Sequence, residues 1–165
     1  MIIETKIEFK QYPKLMYILT YRNPVVIVST LFILTCIITT ISVLLSLDIP
    51  LNSSFILPQV FVFLVLGLRP IMVYFNSKKN FAANARLQEK IRYEFTNDKI
   101  ITTGESFSSE RDWEKTNRIV ELNNWILLYE TRTIANLIPK EAFGDKLNEF
   151  KTLVRSKPSI RQKLK

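Results

Sequence analysis

Two long apolar runs dominate the first half of the chain. Residues 25–47 carry no charge, and residues 55–75 form a second run whose only charge is Arg69. A 23-residue helix is about 35 Å long, enough to cross the ~30 Å hydrocarbon core of a bilayer. Because only residues 48–54 separate the runs, the pattern predicts a two-helix transmembrane hairpin within residues 22–75 rather than buried core helices.

Outside these runs, apolar and polar positions alternate as in half-buried β-strands. The segment IIETKIEFK predicts a strand within residues 1–12 that pairs with a sheet made by the C-terminal half. Residues 91–103 alternate around an Asn-Asp turn and predict a hairpin, and residues 125–138 predict a second antiparallel pair. Residues 76–90 are rich in helix formers and predict a linker helix, which either continues the second apolar helix or is a separate short helix on the surface.

After Pro139 the hydrophobic period changes from two to about 3.6, which indicates a helix. The apolar residues of its stripe are Phe143, Leu147, Phe150 and Val154. Proline suits the start of a helix, because no intrahelical N–H bond is lost there. The pattern therefore predicts an antiparallel sheet capped by a C-terminal helix.

The predicted fold class is a membrane α-helical hairpin plus an α+β cytoplasmic domain. The domain covers residues 91–157 and takes in the N-terminal strand, so the hairpin divides it in sequence. Trp113 and Trp125 are expected to fill its core. The basic tail, residues 158–165, is expected to be frayed or disordered.

The distribution of charge predicts the membrane topology. The net charge is +8 at pH 7, and lysines and arginines flank the two apolar runs, whereas the connecting segment carries Asp48 and no base. Because basic flanks stay in the cytoplasm, both termini are predicted to be cytoplasmic. The lipid bilayer is therefore the first expected partner.

Several classes of chemistry are disfavoured by composition. The chain has no histidine and a single cysteine, Cys36, within the first apolar run. Histidine-based metal sites and Ser-His or Cys-His nucleophiles are therefore excluded. Its three glycines lie too far apart for a P-loop or a dinucleotide fingerprint. We expect no enzymatic activity, no metal and no cofactor.

The stretch WILLYETRTIANLIPKEAF, preceded by RYEFTNDKI and by Asp112-Trp113, resembles the YcxB-like family of small bacterial membrane proteins. The step from strand to helix is carried here by Ile138, Pro139, Lys140 and Phe143. The resemblance covers nearly the whole chain. It implies two membrane helices in the bacterial inner (plasma) membrane and a C-terminal domain like a pleckstrin-homology (PH) domain. It implies no catalytic residues.

Two basic residues are candidate contacts for an anionic ligand or a lipid. Arg69, near the predicted cytoplasmic end of the second run, either extends its side chain to the headgroups or pairs with a lipid phosphate or a partner helix. Lys140, at the predicted helix start, either binds a phosphate or carboxylate together with helix amides or is a solvated lysine. In the basic C-terminal region, the candidates for contact with an anionic membrane surface are Arg155, Lys157, Arg161 and Lys163.

We therefore predict a membrane-anchored interaction module that binds a protein partner, or a second copy of itself, through the PH-like domain. The alternative is binding of an anionic lipid or a small anionic ligand at the inner membrane surface. Nucleic-acid binding is disfavoured because the basic tail has no aromatic residue after Phe150.

Overall fold

The computed structural model describes residues 1–45 and 53–165, which form two compact units. One unit combines Met1–Glu8 with Asn84–Lys165, and the other is Phe9–Ala83. The predicted tight turn between the two apolar helices lies outside the described residues. The N-terminal segment belongs to the same unit as the C-terminal half.

The Phe9–Ala83 unit is helical. Its helices are α1 (Tyr12–Tyr21), α2 (Pro24–Leu45) and α3 (Ser53–Ala83). Stretches of α2 and α3 are long and apolar enough to cross a membrane, and only 6% of each stretch is buried within the chain. A core helix of a soluble protein would be mostly buried. These two apolar helices agree with the coarse prediction from the sequence.

The structure sets two boundaries of the helical region. Of the two forms predicted for residues 76–90 it has the first, because α3 continues without a break to Ala83. Only a single 3-10 turn, Ala85–Leu87, follows it. Helix α1 was not predicted, because its sequence lies against the first apolar run and shows only a weak polar face. It begins at Tyr12, where the N-terminal strand was expected to end.

The unit formed by Met1–Glu8 and Asn84–Lys165 holds two sheets, and we call it the β-unit. Its first sheet is antiparallel, with strands in the order β1-β2-β3-β4. Strand β1 pairs with β2, with Ile3 opposite Tyr93, so the N-terminal segment joins strands that lie some 90 residues later in the chain. The strand is shorter than the predicted 1–12 segment. The four strands are β1 (Ile2–Thr5), β2 (Ile91–Phe95), β3 (Lys99–Thr103) and β4 (Ser108–Asp112).

The second sheet has the order β7-β6-β5-β8. The pairs β5–β6 and β6–β7 are antiparallel, and β8 pairs in parallel with β5. The elements of this half are β5 (Arg118–Glu121), β6 (Trp125–Tyr129), β7 (Ala135–Pro139), helix α4 (Leu147–Arg155) and β8 (Arg161–Lys163).

The expectation of a frayed tail over residues 158–165 is wrong, because this segment forms β8. Its preceding residue Ile160 is buried, and the Gln162 amide donates hydrogen bonds to the carbonyl oxygens of Val154 and Lys157. An apolar anchor and a side-chain amide thus offset the ordering entropy of an otherwise basic segment.

The core joins both sheets and α4 through aromatic side chains. Phe95 of β2 meets Phe150 of α4 edge to face at 4.9 Å between ring centroids, and Phe143 lies 4.7 Å from Phe150. Trp113 and Trp125 are buried, which confirms their predicted place in the core. The helix predicted to follow Pro139 is divided. A 3-10 segment at Lys140–Lys146 contains Gly144 in a non-helical conformation, and α4 starts only after it.

Candidate functional site

A cleft of 380 Å³ opens in the β-unit beside strands β4 and β7. These are edge strands of the two sheets, so in the described part of the chain neither has a strand on its outer side. Ile91 and Tyr93 of β2 line the cleft and are buried. The volume falls within the range of protein binding sites, about 300–1,000 Å³.

One side of the cleft carries an ion pair between the two sheets. The Arg111 guanidinium lies 2.7 Å from the Glu130 carboxylate, and each side chain is about a quarter exposed (27% and 26%). The second oxygen of Glu130 accepts a hydrogen bond of 3.0 Å from the Asn136 amide. Because Arg111 pairs in register with the buried Ile100, its side chain shares the inner face of the first sheet. The network ties β4 to the β6–β7 hairpin.

The rim of the cleft is shaped by the turn before β4. The Gly104 amide donates a hydrogen bond to the carbonyl of Phe107, and a β-carbon at Gly104 would collide with the Phe107 ring. The Arg86 guanidinium lies over that ring, 4.6 Å from its centroid. Hydrogen bonds from the Ser106 hydroxyl and amide to Glu89 lower the pKa of the Glu89 carboxyl and fix the turn. The Arg86 cation is thus held over the Phe107 ring at the rim of the cleft by a cation–π contact.

Tyr93 contributes a neutral hydroxyl to the cleft wall. Burial raises the pKa of Tyr93 far above its usual value, and the negative charge of Glu130 raises it further. The hydroxyl therefore stays protonated at physiological pH. The cleft thus combines the guanidinium groups of Arg86 and Arg111, the Glu130 carboxylate and the Asn136 amide with apolar walls. This combination suits the binding of a surface that is partly polar and partly apolar.

Lys140 lies against an internal carboxylate. Its ammonium is 2.6 Å from Glu121, whose side chain is buried at the end of β5. Lys151 also contacts Glu121, at 2.8 Å, and the Lys165 amide donates to its second oxygen at 2.7 Å. Burial alone would raise the pKa of Glu121. The hydrogen bonds from Lys140, Lys151 and Lys165 outweigh burial and lower the pKa to about 2. The charge of Lys140 is therefore compensated within the chain.

The other predicted basic contacts lie near the end of the β-unit. Arg155 is the exposed last residue of α4, and Lys157 follows it. Arg161 and Lys163 are exposed on the same face of β8. In the β5–β8 register Arg161 lies opposite Arg118, whose guanidinium stacks 4.1 Å from the centroid of Tyr129. We call Arg118, Arg161 and Lys163 the basic face.

Arg69 lies in the helical unit, in the second half of α3. Its guanidinium donates hydrogen bonds of 3.3 Å to the Ser29 hydroxyl and 3.2 Å to the Thr30 hydroxyl of α2. Leu45 and Ser53 can be at most ~28 Å apart, because a chain spans up to ~3.5 Å per residue. If α2 and α3 were parallel and Arg69 contacted Ser29 and Thr30, Leu45 and Ser53 would be ~45 Å apart. The two helices therefore run antiparallel.

Sequence reasoning missed the network of Arg111, Glu130 and Asn136 and the role of Glu121. For Glu121 a pattern was available, because Arg118 to Glu121 alternates and places Glu121 on the same inward face as Ile119. A carboxylate on the buried face of a strand needs a positively charged partner within the protein. The pattern therefore predicts an internal ion pair. The Arg111–Glu130 pair joins residues from different hairpins, and no local pattern predicts such contacts.

The described residues include no group of three or more metal-ligating side chains.

Comparison with known proteins gives one match. Residues 95–154 match the model of the family described as YcxB-like protein, which confirms the family resemblance for this segment. No curated protein and no solved structure matches the chain. The matched segment runs from the end of β2 to the last turn of α4 and includes Arg111, Glu121 and Glu130.

Proposed function

We propose that this chain, whose residues 95–154 match the YcxB-like family, is a membrane-anchored interaction module. In this proposal α2 and α3 cross the bacterial inner membrane as a hairpin, with both termini in the cytoplasm. The β-unit is a PH-like domain at the cytoplasmic face. It binds a segment of a partner protein, or of a second copy of this chain, at the cleft.

The observation that carries the proposal is the cleft between two open strand edges. An edge strand offers unpaired backbone N–H and C=O groups, and an added strand satisfies them. The walls at Tyr93 and Leu137 are apolar, while Arg86 and Asn136 offer donors for side-chain selection. Backbone pairing would provide affinity, and these side chains would provide specificity.

The PH-like assignment is supported by the order of elements. An antiparallel sheet of four strands is followed by a second sheet whose first three strands are antiparallel, and then by α4. Helix α4 packs Phe150 against Phe95 and Phe143 in the shared core. The membrane segment would be inserted between β1 and β2. A domain interrupted in this way would be tied to the membrane by two chain connections.

Site-directed photo-crosslinking in intact cells tests the interaction. The photoreactive residue p-benzoylphenylalanine replaces Ser108, on the cleft wall, or Ser156, an exposed residue just beyond α4, in the full-length chain. We expect an adduct of one discrete mass from position 108 only. An adduct of twice the chain mass would identify a second copy as the partner.

A matched variant makes the crosslinking test specific. Arg111→Met in the position-108 chain should abolish the adduct, whereas Lys99→Gln, at an exposed ion pair with Glu110, should leave it unchanged. Equal adducts from positions 108 and 156, or a diffuse set of adducts, would contradict the proposal.

The basic face favours a second candidate, contact with anionic lipid headgroups. Arg118 and Arg161 are adjacent in register, and like charges across a strand pair repel unless an anion lies between them. Each base near an anionic surface contributes about 1 kcal/mol. Hydrogen exchange of β8 in nanodiscs of phosphatidylglycerol or phosphatidylcholine tests this candidate. Protection should appear only with the anionic lipid, weaken with added salt, and disappear in Arg161→Gln/Lys163→Gln. Equal exchange in both lipids would contradict it.

A further inference from the structure

Arg69 is held by hydroxyl groups of the neighbouring helix. The hydroxyl protons of Ser29 and Thr30 are both donated to the carbonyl oxygen of Val26, at 2.9 and 2.7 Å. Their oxygens are therefore free to accept hydrogen bonds from the Arg69 guanidinium, which is the observed arrangement. Two neutral hydroxyls orient the cation and leave its charge uncompensated.

No carboxylate of these helices can neutralise Arg69. The sequences of α2 and α3 contain no Asp or Glu, and the only acid between positions 9 and 83 is Asp48, in the connecting segment. A guanidinium has five N–H donors, and the hydroxyls of α2 engage two of its nitrogens. A charge left in this state inside a bilayer costs several kcal/mol, so a partner carboxylate would bind there with a large gain.

The position of Arg69 favours a protein carboxylate over a lipid phosphate. Arg69 precedes Lys78 by nine residues, which places it about 13 Å along α3 from the basic flank. Side chains on a helix tilt toward its N-terminus, which for Arg69 is away from that flank. The bonds to Ser29 and Thr30 hold the guanidinium in this place, so extension toward the headgroups would break them.

A second copy of this chain does not supply the missing charge. In an identically oriented copy, Leu45 at the end of α2 lies about 23 Å of helix from the Arg69 level, and Asp48 comes three positions later in the sequence. We infer that Arg69, with Ser29 and Thr30, forms an intramembrane site for an Asp or Glu on a transmembrane helix of a different protein. This inference rests on the proposed membrane insertion and names the chemistry of the partner.

A synthetic transmembrane peptide serves as the probe. One leucine-rich peptide carries a single Asp at the depth of Arg69, and its control carries Leu there. Energy transfer to the donor-labelled full-length chain in phosphatidylcholine and phosphatidylglycerol bilayers measures association. We expect the Asp peptide to bind at least about tenfold more tightly than the Leu peptide in both lipids.

Variants of the chain assign the effect to Arg69. Arg69→Leu should remove the preference for Asp, Arg69→Lys should retain part of it, and Lys78→Gln, which removes an exposed charge from the same helix, should retain all of it. Equal binding of the Asp and Leu peptides would overturn the inference. So would a phospholipid retained in native mass spectra by the unchanged chain and lost in Arg69→Leu, because that result identifies a lipid phosphate.

Extraction of the membranes at alkaline pH distinguishes a failure of the proposed membrane insertion from a failure of the carboxylate site alone. If the chain is extracted, membrane insertion fails and the intramembrane site fails with it. If the chain stays in the membrane and shows no preference for the Asp peptide, only the carboxylate site is wrong.

Discussion

The carboxylate of Glu121 and the ammonium of Lys140 lie 2.6 Å apart at the buried end of strand β5. Lys151 and the Lys165 amide complete the site, so one acid joins β5, the segment after β7, α4 and the segment after β8. Removing one member of a buried charge cluster leaves the others without a partner, which is costly. The tail is therefore ordered partly by a buried ion cluster.

The stability of the β-unit should fall in acid because of Glu121. Its pKa is about 2 in the folded chain against 4.5 for the free side chain. A lowered folded-state pKa stabilises the fold above pH 4.5, and this stability is lost as the pH falls toward 2. The shift corresponds to about 3 kcal/mol. Urea unfolding of the full-length chain in nanodiscs, followed by fluorescence of Trp113 and Trp125, measures it.

Two variants separate Glu121 from the other acids. Glu121→Gln/Lys140→Met should be less stable at pH 7 and should lose about 3 kcal/mol less between pH 4.5 and pH 2 than the unchanged chain. Glu149→Gln, which removes an exposed carboxylate of α4, should follow the unchanged chain. An identical acid loss in all three chains would show that Glu121 is not responsible.

The Arg111–Glu130 pair should couple the two sheets energetically. Because both side chains are about three-quarters buried, a double-mutant cycle of Arg111→Met and Glu130→Gln should give a coupling free energy of about 1 kcal/mol. The exposed pair Lys99–Glu110 is the control and should show no measurable coupling. If the two pairs give the same coupling free energy, the Arg111–Glu130 pair does not couple the two sheets.

Gly144 should be intolerant of a side chain. Its φ of +49° and ψ of −129° lie in a region that residues with a β-carbon rarely adopt, although the space around it is open. Gly144→Ala should therefore destabilise the β-unit by about 1–2 kcal/mol through backbone strain. Gly67→Ala, in the open surroundings of α3, should leave the urea midpoint of the tryptophan signal unchanged. Equal midpoints for both variants would exclude strain at Gly144.

The sequence predicted the elements whose periodicity is strong. The alternation around Ile91–Phe95 and the apolar runs gave the β2–β3 hairpin and the two long helices, because each pattern is complete within one stretch of sequence. The tail was mispredicted because its order depends on Ile160 and on side-chain bonds such as those of Gln162. The composition of a basic segment of this kind favours disorder.

The candidate site was less predictable than the fold. Arg69 was identifiable because a charge in an apolar run is anomalous by itself. Arg111 and Glu130 are ordinary surface residues in sequence, and they become a site only when the hairpins containing β4 and β6 pack together. Lys140 was identified by its place before a helix, yet the residue that compensates its charge, Glu121, lies 19 positions earlier in the chain.

We propose that the chain crosses the membrane twice and presents the β-unit to the cytoplasm. Cysteine accessibility tests it in a Cys36→Ser background, with Asp48→Cys between the helices or Ser156→Cys beyond α4. In intact bacterial spheroplasts, a membrane-impermeant maleimide should label the Asp48→Cys chain at once and the Ser156→Cys chain only after permeabilisation. Labelling of the Ser156→Cys chain in intact spheroplasts, or of neither chain before permeabilisation, would contradict the account.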